Sequence, residues 1–282
     1  MSKNQRNPGV EQVVIIQPGA RWKLIDIKEL VRFKDLLYFL TVRGIKSKYA
    51  QSILGVGWAV IQPLFLTLIF TVVFGRLAGI SSDGAPYLLF SLCGMIAWTY
   101  FSGTVTEASG VMIANSTMIS RVYFPRIILP LSAVLSKFLD MFIGFVVLAG
   151  ALIVYKVLPG KEILLLPVLI LFLVLFSFAF GAVLCAMSVK YRDVKHIMPF
   201  FIQLLLYASP VVYPLSAVPE SFRWIYSLNP LVGIIEGFRS CIIGNNPIPW
   251  MAITTGMAVT ILLLFGSLLY FNKLERSFAD IA

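Results

Sequence analysis

The sequence has few charged residues and almost none of the side chains from which enzymes build metal sites. Only 13% of its 282 residues are charged, against about 25% in soluble domains, whereas 59% are hydrophobic. There is one histidine, His196, and the cysteines Cys93, Cys185 and Cys241 show no metal-ligand spacing. These counts exclude a multi-histidine metal centre and give no indication of a zinc site or a disulfide framework.

Motifs that bind nucleotide phosphates or activate nucleophiles are also missing. The sequence has no G-x-x-x-x-G-K-[ST] phosphate loop, no G-x-S-x-G and no H-E-x-x-H. Its acidic residues are scattered singly, without the adjacent pair that would hold a divalent metal on a sugar nucleotide or a lipid phosphate. We therefore expect no metal and no cofactor in this chain, and these absences count against a membrane-bound glycan or lipid transferase.

The hydrophobic residues are concentrated in runs that are long enough to cross a bilayer. A membrane helix needs about 20 mostly apolar residues, and the mean hydropathy of +0.90 suits a chain whose surface faces lipid. The sequence therefore predicts an all-α integral membrane protein with six transmembrane helices. These spans are residues 53–75, 85–106, 127–155, 163–188, 197–218 and 248–271.

Lysine and arginine residues predict the orientation of the chain. They are most frequent in the N-terminal segment, in the loops after spans two and four, and in the C-terminal tail. All of these segments lie on one side of a six-span protein, and cytoplasmic loops carry an excess of Lys and Arg. Both termini are therefore predicted to be cytoplasmic, and the net charge of +10 needs no nucleic-acid partner.

Two segments precede the first span. Residues 1–28 are interpreted as a polar N-terminal tail, followed by a single transmembrane domain over residues 29–282. In residues 29–48 the charged residues recur at three- and four-residue steps, so they share one side of a helix. This pattern favours an amphipathic helix in the membrane surface, and an ordinary soluble helix leading into the membrane is the alternative.

Two connections between the spans are too long to be simple turns. Residues 107–126 form a Ser/Thr-rich cytoplasmic segment, interpreted as a gate or coupling helix. Residues 219–247, between spans five and six, contain short apolar pieces separated by Pro and Gly. Such pieces are typical of re-entrant half-helices on the external side, and an external loop resting on the protein is the alternative.

Lys137 and Asp140 are the charges that lie well inside an apolar run. At a spacing of three residues they can pair on one side of a helix. A charge inside a membrane span is also a candidate for transport, so the pair is either structural or part of a path. A proton-coupled carrier would need more buried carboxylates, which counts against a carrier or channel that works alone.

Aromatic residues are numerous near the ends of the spans. An aromatic face suits the apolar side of a sugar ring, and interfacial belts and core packing are the alternative uses. We expect at least some of the following residues to line a path: Trp58, Trp98, Tyr100, Phe101, Tyr207 and Tyr213.

Seven stretches, in this order among the six spans, resemble type-2 ABC transporter permeases that export polysaccharides. Each stretch is weak alone, but the shared order is specific, and Gly44 stands where such permeases often have a polar residue. The stretches are VRGIKSKYAQSILGVGWAVIQPL (42–64), IFTVVFGRL (69–77), GAPYLLFSLCGMIAWTYFS (84–102), NSTMISRVYFPRIILPL (115–131), VKYRDVKHIMPF (189–200), SPVVYP (209–214) and NPLVGIIEGFR (229–239).

The resemblance implies a function and a set of partners. It implies the permease of an ATP-driven exporter, not itself an enzyme, that pairs as a homodimer and docks two separate nucleotide-binding ATPase subunits carrying ATP and magnesium. The cargo would be a lipid-linked polysaccharide crossing the bacterial inner membrane from cytoplasm to periplasm. O-antigen on undecaprenyl pyrophosphate fits best, and capsule or teichoic acid are the alternatives.

The resemblance also implies roles for three sets of residues. The pyrophosphate headgroup would be attracted by Arg43, Lys46 and Lys48. The external side would be closed by Asn229, Pro230, Glu236 and Arg239. The ATPase would contact Arg121, Tyr123, Pro125, Arg126, Tyr191, Arg192 and Asp193, although for the arginines a role in topology and phospholipid anchoring is the alternative.

Overall fold

A computed structural model of the protein describes residues 27–50, 54–191 and 193–277, and these are almost entirely helical, with no strand among them. The predicted all-α architecture is confirmed. Nearly all of the predicted polar tail lies outside the described residues. The α-helices are α1 (Ile27–Arg32), α2 (Lys34–Tyr49), α3 (Gly57–Phe70), α4 (Tyr87–Ala114), α5 (Ser116–Arg121), α6 (Ile128–Ser136), α7 (Phe138–Tyr155), α8 (Leu166–Lys190), α9 (Val194–Tyr207), α10 (Glu220–Tyr226), α11 (Pro230–Ile242) and α12 (Trp250–Ser277).

Five helical stretches in the described part of the chain are long and apolar enough to cross a membrane. Three of them are composite: α3 continues into a π-helical turn, α6 is followed by α7 after a break at Lys137, and a 3-10 turn precedes α8. The stretches are Gly57–Leu77, Tyr87–Ala114, Ile128–Tyr155, Lys161–Lys190 and Trp250–Leu274. They correspond to five of the six predicted spans and make the chain a multi-pass membrane protein.

The predicted fifth span, residues 197–218, differs from the others. Its helix, α9, has 14 residues, which is about 21 Å at 1.5 Å per residue, less than the ~30 Å of a hydrocarbon core. Residues 208–218, the rest of the predicted span, form no continuous helix, and Pro210 and Pro214 lack the backbone N–H that a helix needs. A crossing here would have to combine α9 with non-helical backbone, so the count of six stays a prediction.

The central helix is α4, which packs against α3, α6, α7, α8, α9 and α11. Its residues are mostly buried, whereas the other membrane-length helices expose large apolar side chains such as Phe65, Phe142 and Leu262. In the core the Phe101 ring stacks on Phe176 with centroids 5.1 Å apart. The surplus of apolar residues therefore covers the outer surface, which suits a lipid environment.

The predicted surface helix is two helices, α1 and α2, with a break at Phe33. Leu40 is buried in a second core cluster, which also contains Phe124, Ile128, Cys185 and Phe271. That cluster joins α2 to α6, to the ends of α8 and α12, and to the segment after α5. One apolar side of α2 is therefore covered by protein, while other apolar side chains of the helix are exposed.

Candidate functional site

The most extensively bonded polar cluster lies where α11 packs against α4. Glu236 and Arg239 form a buried ion pair, with Arg239 Nη1 2.8 Å from Glu236 Oε1. Arg239 also donates from Nε to the Phe90 carbonyl at 3.1 Å and from Nη2 to the Val211 carbonyl at 2.8 Å. A buried charge is costly unless it is paired and hydrogen-bonded. Here both requirements are met, and the guanidinium lies 3.4 Å from the Phe90 ring centroid.

The same cluster holds the non-helical backbone that follows α9. The Glu236 carboxylate accepts a hydrogen bond from the Leu215 N–H at 3.1 Å. Gly94 on α4 leaves room for this arrangement, because a Cβ there would lie 3.0 Å from Arg239 Nη2 and 3.2 Å from the Val211 carbonyl oxygen. Residues 208–215 are therefore fixed between α4 and α11, and we call this cluster, Glu236 and Arg239 with their partners, the buried clamp.

The N-terminus of α11 adds a further contact to this segment. Asn229 caps the helix by accepting from the Leu231 N–H at 3.1 Å, and Pro230 occupies the first turn, where no N–H is needed. The Asn229 amide donates to the Ala208 carbonyl at 3.2 Å and to Ser209 Oγ at 3.0 Å. The four residues predicted to close the external side thus lie in α11 or cap it, but their role in closing a channel stays a prediction.

Three tyrosines connect α9, the non-helical segment and α10. The Tyr226 hydroxyl donates to the Tyr213 hydroxyl at 2.9 Å, which in turn donates to the Tyr207 carbonyl at 2.8 Å. Burial raises the pKa of Tyr226 well above its usual range, so its phenol keeps the proton that it donates. This tyrosine chain was missed by sequence reasoning, which proposed Tyr207 and Tyr213 only as candidates for stacking.

A second polar cluster lies where α2 meets the break at Lys137. Asp140 accepts from the Lys48 ammonium and from the Tyr49 hydroxyl, both in the last turn of α2. Lys137 instead pairs with Glu107 of α4, with Nζ 2.6 Å from Oε2. The predicted Lys137–Asp140 pair is therefore wrong, because neighbouring helices bring each charge an opposite charge of its own.

The basic residues predicted to attract a headgroup are not equivalent. Lys48 is committed to Asp140, and Arg43 Nη1 lies 3.5 Å from Asn115 Oδ1 at the junction of α4 and α5. Lys46 lies exposed between them in sequence. The proposed headgroup role of these residues stays a prediction, and the structure adds a second, structural use for Lys48.

The aromatic residues predicted to line a path fall into two groups. Trp98, Tyr100 and Phe101 are buried in the core of the chain, where the Tyr100 hydroxyl donates to the Val134 carbonyl at 3.2 Å. Trp58 and Tyr207 are half exposed. The set therefore does not form one continuous surface of this chain, and the core positions of the first three rings are explained by packing.

The residues predicted to contact an ATPase lie on two segments that pack on the second core cluster. In the first, Arg121 and Tyr123 are exposed, whereas Phe124 is buried and anchors the segment. In the second, Tyr191 and Asp193 are exposed beside Val189, which packs on the same cluster. Pro125 and Arg126 are partly buried, and Arg192 lies outside the described residues.

The segment that follows α5 also contacts α1. The Tyr123 hydroxyl donates to Glu29 Oε1 at 3.3 Å, which places α1 beside the segment that follows α5. The pairing joins residues 94 positions apart, so spacing in the sequence gave no indication of it.

These features define a multi-pass helical membrane protein with polar clusters near the two ends of its central helix. A family model described as ABC-2 type transporter matches residues 35–243, and the chain belongs to that family. It is therefore a transport protein. The matched residues include the buried clamp, the tyrosine chain and the cluster around Lys137.

Individual proteins are similar to the chain over most of its length. It is 28% identical over 248 residues to an O-antigen export system permease protein RfbA of Klebsiella pneumoniae, covering 88% of this chain and 95% of that protein. It is 27% identical over 259 residues to the RfbA protein of Myxococcus xanthus, covering 90% and 98%. The polysialic acid transport protein KpsM of Escherichia coli is 22% identical over 244 residues, covering 84% and 93%.

Proposed function

We propose that this chain is the membrane subunit of an ATP-driven exporter that moves a lipid-linked polysaccharide, of the O-antigen type, from the cytoplasm to the periplasm. The observation that carries the proposal is its similarity to O-antigen export permeases over 95% and 98% of their lengths. The chain lies in the bacterial inner membrane with both termini in the cytoplasm. That orientation rests on the distribution of Lys and Arg.

ATP hydrolysis belongs to a separate subunit in this proposal. The sequence has no phosphate loop, so energy must come from a partner ATPase that binds ATP and magnesium. Exposed Arg121, Tyr123, Tyr191 and Asp193 offer charged and aromatic groups for that contact. Two ATPase copies would dock on a homodimer of this chain.

The arrangement of carboxylates argues against the two rival functions. Glu107, Asp140 and Glu236 each lie against a cationic partner. A carboxylate held in this way is poorly placed to act as the general base of a transferase or as the proton site of an ion-coupled carrier. The resemblance to KpsM favours capsular polysaccharide as the second candidate cargo.

Co-purification with the partner ATPase tests this function. The chain is co-expressed with a candidate nucleotide-binding ATPase from the same genome, and ATP hydrolysis is measured in lipid nanodiscs. We expect a stable complex whose hydrolysis rises when lipid-linked O-antigen is added, and a smaller rise with capsular or teichoic acid glycans. An ATPase that does not bind this chain, or that ignores every lipid-linked glycan, would contradict the proposal.

A further inference from the structure

The C-terminal half of α2 lies against the third membrane-length stretch without a gap. At Gly44 a Cβ would lie 3.3 Å from the Ser136 Cβ and 3.3 Å from Glu107 Oε1. Separations this short leave no space for a water molecule between the two helices, and a side chain at position 44 fits only if its neighbours shift by a few tenths of an ångström. Gly44 therefore sets how closely α2 approaches the last turn of α6.

Polar contacts reinforce this approach on both sides of the break at Lys137. On the α6 side, Glu107 accepts from the Ser136 hydroxyl at 3.1 Å and pairs with Lys137 at 2.6 Å. On the α7 side, Asp140 in the first turn accepts from Lys48 and Tyr49. The two carboxylates thus connect α2, α4, α6 and α7 around one break in a membrane helix.

These contacts are partly shielded from solvent. The side chains of Lys137 and Asp140 are 14% and 21% exposed, and that of Lys48 is 41% exposed. Ion pairs in such positions are screened less by salt than surface pairs and hold a more defined geometry. The end of α2 is therefore fixed to the membrane helices, whereas its beginning lies beside α1.

We propose that Asp140 and Glu107 are positioning residues for transport. Asp140 fixes the end of α2 to the first turn of α7, and Glu107 of α4 fixes the last turn of α6 and Lys137 at the same break. In this way α2, α6 and the first turn of α7 move as one rigid body. A displacement of α1 or α2 then moves the break in this membrane helix with it and is not absorbed by sliding between the helices. The inference rests on the proposed function, because the partner ATPase would supply that displacement, and the Tyr123–Glu29 contact places α1 beside the surface proposed for its docking.

The first test measures the amount of glycan exported per ATP hydrolysed. Asp140→Asn removes the charge that holds Lys48. Loss of a charge-assisted contact changes the equilibrium between the joined and separated helices by about tenfold. We expect glycan per ATP to fall about tenfold while hydrolysis itself changes less than about twofold. Asp140→Glu and the exchanged pair Lys48→Asp with Asp140→Lys should recover most of the coupling.

Milder variants keep the test informative if Asp140→Asn folds poorly. Tyr49→Phe removes a single hydroxyl, and we expect about a threefold loss of glycan per ATP with an unchanged Tm. Lys34→Gln, which changes an exposed lysine in the first turn of the same helix, serves as the matched control and should behave as the wild type.

A disulfide tests directly whether α2 and α6 move together. The 3.3 Å separation of the Cβ positions lies just below the range of about 3.5–4.5 Å found in disulfides, so a shift of a few tenths of an ångström brings the two sulfurs into bonding range. We therefore expect Gly44→Cys with Ser136→Cys to cross-link on oxidation. The native cysteines need no replacement, because all three are buried. The oxidised and reduced forms of this variant should export at rates within about twofold of each other.

The outcomes separate this inference from the proposed function. If the wild-type complex exports no glycan, the proposed function fails and the coupling role fails with it. If the wild type exports but Asp140→Asn retains normal glycan per ATP, the inference alone is overturned. Export that oxidation blocks and a reductant restores would also overturn it, because α2 would then have to separate from α6.

Discussion

Single residues show how the chain keeps charges next to its apolar helices. Glu107 pairs with Lys137, Asp140 with Lys48, and Glu236 with Arg239. The first two pairs join different elements, and the third lies within α11 but binds the backbone of its neighbours. Each charge therefore has a structural use that requires no transported ion.

The burial of the clamp predicts that two ion pairs of the same spacing contribute very differently to the free energy of unfolding. Glu236–Arg239 and Glu220–Arg223 both have i,i+3 spacing, but the Glu236 side chain is 6% exposed and that of Glu220 is 90% exposed. We expect Glu236→Ala to lower the free energy of unfolding by about 3–5 kcal/mol, because it strands a buried guanidinium. Glu220→Ala should cost less than about 1 kcal/mol. Equal losses in thermal unfolding in detergent would refute this account of the clamp.

The aromatic residues predict two different phenotypes. Phe101→Ala should lower the free energy of unfolding by about 3–5 kcal/mol, because the ring is fully buried against Phe176. Trp58→Ala and Tyr207→Ala should leave the Tm nearly unchanged, because both side chains are half exposed. If these two residues contact the cargo, their variants slow export in folded protein. Normal export in both would remove them from the path.

At the scale of elements, the segment after α9 has no continuous helix, and side-chain hydrogen bonds from its neighbours fix its backbone instead. It is bound by Arg239, by Asn229 and by the tyrosine chain, whose hydroxyls link it to α10. Backbone that leaves a helix needs such partners, because its own N–H and C=O groups are no longer paired along the chain.

The tyrosine chain predicts local loosening of α10. Tyr226→Phe removes one hydrogen bond, worth about 1 kcal/mol, and should speed hydrogen exchange of the α10 amides about fivefold. The Tm should change little, because the side chains of α10, Tyr226 included, are only partly buried or exposed. Tyr123→Phe, on another surface, is the control and should leave exchange in α10 unchanged.

The sequence predicted the long apolar helices well because their composition alone identifies them. For the second span the prediction began within two residues of Tyr87 but ended eight residues early, since the helix continues to Ala114 past the charge of Glu107. Residues 197–218 contain most of the 14-residue helix α9 and then non-helical backbone at Pro210 and Pro214, which a hydropathy window alone does not distinguish from a continuous helix, so this span stays a prediction. The sequence prediction also joined α1 to α2 across Phe33.

The polar clusters were predictable in part. Glu236, Arg239 and Asn229 were selected from their motif, but their partners on α4, Phe90 and Gly94, were not. Those contacts join residues more than a hundred positions apart, and spacing within one segment contains no information about them. The same reason explains why Lys137 was assigned to Asp140 instead of Glu107.

At the scale of the whole molecule, the first membrane-length stretch is the one that the rest of the described chain covers least. The window of Gly57–Leu77 is only 11% buried within the chain, against 78% for the window of α4. Its exposed side chains Phe65, Leu68, Ile69, Val72 and Val73 form an apolar face. That face suits either lipid or a second copy, and the proposed homodimer would place a second set of helices beside the first.

The most direct measurement of the central claim is ATP-dependent export in a reconstituted system. The chain and its partner ATPase are placed in vesicles with labelled, lipid-linked O-antigen on the ATP-accessible side, and the glycan reaching the other side is counted. The account predicts export that requires ATP, the ATPase and this chain together, and that stops when the phosphate-loop lysine of the ATPase is replaced. Glycan that crosses without the ATPase, or that never crosses with it, would contradict the account.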